Sequence, residues 1–329
     1  MILSDVCEFI VDCPHSTAPD EGKGYPLIRT PNVGKGRLDL NGVHRVSESV
    51  YKQRIQRGAP RANDLIFARE APAGNVALVQ ENQTVCLGQR TVLIRPNVQK
   101  VNPQYLVYYL LSPKPQYELL GTANGATVAH INLPAIRNLK IELPEKSVQD
   151  KIGTILVTYD DLIENNQRQI KLLEEAAQRL YKEWFVDLRF PGHENTKIVD
   201  GVPEGWSRTN INEILTFHRG YDLTKNEMKA GRYPVVGSTT VIGYHNEFKI
   251  KGPGIVTGRS GSLGKYQFIW DNFWPHNTSL YISDYKDHNI FFVYSLLQTV
   301  DFASLNNGGA IPTLNRNVLS NIEVIEPTD

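Results

Sequence analysis

From Ile152 onward, steps of four and three residues taken alternately land on Leu156, Tyr159, Ile163, Asn166, Ile170, Leu173, Ala177, Leu180 and Trp184. An apolar repeat of about 3.5 residues kept up over such a stretch is the seam of a coiled coil, a pattern that neither strand nor loop sustains. The spacing predicts one helix over residues 146 to 185, about 60 Å long if continuous, stopped by Pro191-Gly192. A seam buries its side chains only against another helix, so a partner is expected. Asn166, its polar member, either fixes register by pairing with a polar group or is turned to solvent by helix curvature.

The flanks of this helix repeat one another. Leu3-Ser4-Asp5-Val6-Cys7 matches Ile211-Asn212-Glu213-Ile214-Leu215, and residues 64 to 71 match 254 to 261, each with an arginine just past an apolar strand. Residues 91 to 95 match 278 to 282, and Val107 to Leu111 match Val293 to Leu297. Gly125-Ala126 and Ile131-Asn132 match Gly308-Gly309 and Leu314-Asn315, and Asn138 to Pro144, with its expected strand Leu139 to Leu143, matches 321 to 327. Echoes in one order mean a duplicated domain. Residues 23 to 61 have no clear counterpart, so the two copies are expected to share a frame and differ in surface. We therefore expect an α+β protein: a first domain over 1–145, a spacer helix over 146–187 and a second domain over 188–329.

Charge is sorted along this plan. The net charge is zero, but from Lys23 to Arg69 ten Lys or Arg face three acids, and from Phe217 to Trp270 eight bases face three acids. Between them, from Glu145 to Asp187, nine acids meet six bases. Two basic lobes on a mildly acidic spacer suit a polyanion, although two ordinary solvated surfaces would look similar. Cys7, Cys13 and Cys86 lack paired spacing, and no apolar run reaches a membrane span. A reduced, cytoplasmic protein without metal or membrane anchor is expected.

The catalytic motifs are absent or broken. Asn102-Pro103-Gln104-Tyr105 is one residue from a methyltransferase box but is read as a helix cap. Gly258 to Lys265 misses the phosphate-loop count by one residue. Candidate DNA contacts are instead basic or amide groups on glycine-flexed loops. In the first half these are Arg29, Thr30, Asn32, Lys35 and Arg37 on one loop, with Arg69, Arg90 and His130. In the second they are Arg219, Tyr221, Arg259, Ser260, Lys265, Asn277, Asn315 and Arg316. Arg69 and Arg259 fit either a phosphate or guanine contact or a structural salt bridge. The histidines fit solvated loops as well as DNA contact.

The ordered repeat, with Asp160-Asp161-Leu162-Ile163-Glu164-Asn165-Asn166-Gln167, Leu172-Leu173-Glu174, Trp184-Phe185-Val186-Asp187 and Phe190-Pro191-Gly192, resembles the specificity subunit of type I restriction-modification enzymes. The resemblance implies two target recognition domains, each gripping half of a bipartite duplex site, with paired long helices between them. It implies no cofactor in this chain. S-adenosylmethionine belongs to two modification subunits, and ATP with magnesium to restriction subunits, as partners. Asp329 follows closely on the position where a second long helix would start. The open seam is then expected to homodimerise, to pair with a separately encoded helix, or to make the chain poorly soluble. The DNA-recognition part of a single-chain restriction-methylation enzyme and a protein-binding repeat scaffold are the rival readings.

Overall fold

The computed structural model describes residues 1–122, 129–259, 264–300 and 322–327. By contact the chain divides into two units, Met1–Arg168 and Gln169–Asp329, and the same frame is built in each. In the first, strands are ordered Cys7–Asp12, Thr91–Pro96, Leu65–Ala68, Val76–Leu78 and Gly36–Arg37, antiparallel except for the last pair. In the second, the order is Thr216–Arg219, Ser279–Asp284, Gly254–Gly258 and Tyr266–Ile269, antiparallel throughout. Each sheet is preceded by one helical turn, Leu3–Val6 or Ile211–Ile214. Each is backed by a helix with an asparagine cap: Asn102 accepts from the Tyr105 amide and starts Pro103–Leu111, and Asn289 accepts from the Phe291 amide and starts Ile290–Thr299.

These strands read as near-continuous apolar runs because both faces are covered. Leu65, Phe67, Val92 and Ile94 pack on Leu106, Val107 and Leu110 of the capped helix. Ile66, Ala68, Leu93 and Ala77 pack on the other face against Ile28, Val33 and Leu87. In the second unit Ile255, Leu280 and Ile282 meet Val293, Leu296 and Leu297, joined by Tyr181 from the long helix.

Two expectations are corrected. The segment 23 to 61 does have a counterpart in part: Tyr25–Ile28 runs parallel to Cys86–Leu87 just as Tyr233–Val236 runs parallel to Trp274–Pro275. Pairings of two residues carry no readable periodicity. The expected strand over Leu139 to Leu143 reduces to a single bridge, Ile2 with Lys140, whereas Glu323–Glu326 pairs fully with Ser207–Asn210. In the first unit the backbone bonds to this segment are Leu3 N–H to the Leu139 carbonyl at 2.9 Å and Ile141 N–H to the Met1 carbonyl at 3.0 Å.

The long helix is continuous over Lys146–Tyr181, about 54 Å, and ends in a π turn, Lys182–Val186. It packs through a stripe other than its apolar seam. Gln149 and Gly153 are buried and Asp160 half-buried, and Asp160 accepts from the Tyr108 hydroxyl at 2.6 Å. Seam residues Ile152, Tyr159, Ile163, Asn166, Ile170, Leu173, Ala177 and Leu180 are exposed, Leu173 by 70%, while Leu156 and Trp184 are half-buried. None of the described helices is long and apolar enough to cross a membrane.

Candidate nucleic-acid interface

At one end of the first sheet, the loop after Cys7–Asp12, the residues after Leu65–Ala68 and the turn before Thr91–Pro96 converge. Together with His130 they line a cleft of about 390 Å³ formed by Cys13, His15, Arg69, Glu70, Gln89, Arg90 and His130. Arg69 is buried at its base, and all three of its nitrogens are bonded: Nε donates to the Ile131 carbonyl at 2.8 Å, one Nη to Asp12 at 2.7 Å and the other to His130 Nε2 at 2.8 Å. A guanidinium can only donate, so His130 Nε2 accepts and Nδ1 donates to Glu70 at 2.5 Å. Glu70 also holds Arg90, 3.0 Å away. Arg90 is exposed and has a left-handed backbone, φ 63°, rare for a side chain of this kind. Burial pushes the Cys13 thiol above its ordinary pKa, leaving it a neutral wall group.

The second sheet builds the same corner from other residues. Cys13 N–H donates to the Thr91 carbonyl and Gly220 N–H to the Ser279 carbonyl; Gly88 N–H donates to Ile28 and His276 N–H to Val236; Arg69 N–H donates to Arg90 and Arg259 N–H to Thr278. Thr91 Oγ1 closes its turn on the Gly88 carbonyl and Ser279 Oγ on the His276 carbonyl, at 2.9 and 2.7 Å. These bonds align Thr91 with Ser279, so the sequence match of Thr91 to Thr278 is one residue out of register. Here Tyr221 and Tyr281 share a hydroxyl contact of 2.9 Å, and the Lys249 ammonium lies 4.7 Å from the Trp274 ring centre and 5.8 Å from that of Tyr221.

The sequence-predicted groups are placed differently. Arg90, Arg259, Lys35 and Lys265 are exposed, and so is Arg219, which pairs with Asp222 at 3.5 Å. His130, Tyr221 and Asn277 are half-buried at the two corners. Arg69, Thr30 and Asn32 are buried; Arg69 takes the salt-bridge alternative through Asp12, and Asn32 is bonded within the fold, because a charge or amide taken from water must be satisfied there. Asn32 Oδ1 accepts from the Arg29 amide at 3.1 Å and its Nδ2 donates to the Asp39 carbonyl at 3.2 Å. Arg29 is half-buried, its Nε enclosed without a partner, and Arg37 is turned onto the long helix, pairing with Asp160 and Asp161. The 29 to 37 loop is thus partly internal scaffold. Ser260, Asn315 and Arg316 lie outside the described residues.

Sequence reasoning missed Asp12, Glu70 and Gln89. Of these only Gln89 left a signal, since in correct register it stands at the position of Asn277.

A family model described as the type I restriction modification DNA specificity domain matches residues 1–175 and 203–329. The specificity subunit of the type I restriction enzyme MjaIX from Methanocaldococcus jannaschii is 30% identical over 192 residues, 57% of this chain and 43% of that protein. The specificity subunit of EcoBI from Escherichia coli is 26% identical over 174 residues, 49% of this chain and 36% of that one. In both relatives the match spans less than half their length. A crystal structure of a type I restriction-modification S subunit from M. genitalium superposes with a TM-score of 0.58 at 17% identity, covering 99% of this chain and 84% of that one, and so shares its fold. With the model matched twice, over residues 1–175 and 203–329, and the same sheet and turn built twice, the chain belongs to the type I restriction modification DNA specificity domain family.

Proposed function

We propose that this chain is the sequence-specific, double-stranded DNA recognition subunit of a type I restriction-modification complex. Each unit reads one half of a bipartite site, and partner subunits carry out methylation and cleavage. The observation that carries the reading is the duplicated corner: one backbone frame, sharing three main-chain bonds and a turn-closing hydroxyl, with different polar side chains on it. A frame kept while its outward groups change is what two reading heads for two half-sites require. Exposed Lys35 and Arg90 on the first unit, and Arg259 and Lys265 on the second, supply cations for phosphate contact. The exposed seam of the long helix is the docking stripe for helices of modification subunits, of a second copy, or of both. Non-catalytic behaviour in a reducing cytoplasm goes with this reading.

The test is duplex binding over a salt series. A steep linear fall of log affinity with log salt is expected, about 0.9 of slope for each phosphate neutralised. A flat slope would instead favour the protein-binding scaffold. Methyl transfer by the isolated chain would point to the single-chain enzyme; transfer only when modification subunits are added is expected.

A further inference from the structure

We propose that Gln89 and Asn277 are the adenine-reading amides of the two units, each presented on the same turn and tethered through its NH₂ to the residue at the same place in the fold. The proposal rests on the DNA-recognition reading above and names the specificity-determining pair within it.

The register fixes the equivalence. Thr91 pairs with Ala68 and Ser279 with Gly258, which puts Gly88-Gln89-Arg90-Thr91 opposite His276-Asn277-Thr278-Ser279. Burial agrees at three of these four positions: Gln89 and Asn277 are half-buried, Arg90 and Thr278 exposed, Thr91 and Ser279 buried. Gln89 Nε2 donates to the carbonyl of His15 at 2.9 Å, and Asn277 Nδ2 donates to the carboxylate of Asp222. His15 and Asp222 are themselves equivalent, each three residues beyond the end of its strand, since Asp12 pairs with Val92 and Arg219 with Leu280. Two different side chains have thus been given one tether from one place in the fold.

The tether has a chemical consequence. It occupies one N–H of each amide and settles which end of the planar group is nitrogen. The second N–H and the carbonyl oxygen have no partner among the described residues. One donor beside one acceptor, at fixed orientation, complements adenine N7 and N6–H₂ in the major groove, the commonest use of Asn and Gln in direct base readout. Guanine presents two acceptors on that edge and leaves the amide oxygen unmatched.

The experiment is selection of duplexes from a random pool by the full chain, followed by sequencing, for wild type, Q89A and N277A. Wild type should return a two-part motif. Q89A should lose discrimination at one adenine in one half and N277A at one adenine in the other, each leaving the opposite half intact. Placing 7-deazaadenine at either position should weaken wild-type binding about 5- to 150-fold and leave the corresponding variant unaffected. Q89N and N277Q keep the tethering NH₂ while changing its reach, and should weaken preference at the same two positions, which guards against misfolding of the alanine variants. Unchanged motifs, loss at a base other than adenine, or an even loss of affinity across all sequences would overturn the assignment and leave the amides as turn-holding groups. A wild-type chain that selects no motif would overturn the DNA-recognition reading itself, a different result from any of these.

Discussion

Gly153 gives the sharpest test of how the long helix is held to the first unit, because two effects of opposite sign compete there. In a free helix interior, Gly to Ala stabilises by about 1 kcal/mol, chiefly by lowering backbone entropy in the unfolded chain. At this position a Cβ would stand 2.9 Å from the backbone nitrogen of Tyr105, 3.1 Å from Gln104 Cβ and 3.2 Å from Asn102 Oδ1. The first of these is too short to be absorbed by a rotamer change, since its partner is backbone. The same contact zone holds Asn102 N–H to Gln149 at 3.0 Å and Asn102 Nδ2 to Asp150 at 2.7 Å, and it carries the cap of the Pro103–Leu111 helix. Pushing the helices apart costs roughly 1–3 kcal/mol as overpacking, and about 1 kcal/mol more if the cap is lost.

Gly153→Ala is therefore expected to destabilise the first unit by about 1–2 kcal/mol net. With a urea slope of about 2 kcal/mol per molar, that is a midpoint shift of roughly 0.5–1 M. The chain allows a clean readout, because all four tryptophans, Trp184, Trp206, Trp270 and Trp274, lie in the second unit. The far-UV transition should move down while the tryptophan fluorescence transition stays put, and amide exchange should rise over residues 102 to 111. A Gly153→Ala protein that gains stability would refute the packing argument.

Other perturbations follow from the same contacts. Asp64, 1% exposed, accepts two bonds from Arg95 at 2.8 and 2.7 Å, so Asp64→Asn should cost about 3–5 kcal/mol in urea unfolding. Burial pushes Cys7 and Cys86 up to about 12, so both should resist iodoacetamide at pH 8 while folded and react in denaturant, by mass spectrometry. Because these folded values are raised, the stability they contribute is complete below the free-thiol range and is lost as pH climbs toward 12. Replacing both by alanine should flatten the loss of stability in that alkaline window. Leu173→Glu with Ile163→Glu, at exposed seam positions, should change monomer stability by no more than about 0.5 kcal/mol while abolishing self-association and apolar-dye binding. A wild-type chain that sediments as a stable monomer with little dye bound would remove the reason for that expectation.

The frame was legible because duplication and periodicity are written in many residues at once. The heptad stripe required the long helix, and the Asn102-Pro103 pair marked the start of the helix that backs the first sheet. What could not be read was which helix stripe meets the first unit, since Gln149, Gly153 and Asp160 are a polar group, a glycine and an acid, a combination no apolar pattern flags. The burial of Asn32 and Arg69 was equally hidden, because their partners are backbone carbonyls and a remote aspartate. A one-residue slip between Thr91 and Thr278 was enough to hide Gln89, as a slip by one in a strand exchanges its two faces.

The paired arginines that drew attention in the sequence now explain how one frame yields two surfaces. Asp12 and Arg219 occupy the same register, opposite Val92 and Leu280. In the first unit that position carries an acid, and it draws Arg69 inward, where the guanidinium is also bonded by Ile131 and His130. In the second unit the position carries a base, which cannot receive Arg259, and Arg259 stands exposed. The charge at this strand end thus differs in sign between the units and goes with the placement of the following arginine, buried beside Asp12 and exposed in the unit that carries Arg219, while Arg69 and Arg259 keep equivalent backbone bonds. Asp12→Asn should therefore leave a buried cation short of its anion and loosen the first corner, whereas Arg219→Asp should pull Arg259 inward and lower duplex affinity. The second outcome requires the scaffold to tolerate either arrangement, and the shared bonds to Thr278 and Arg90 are the reason it should.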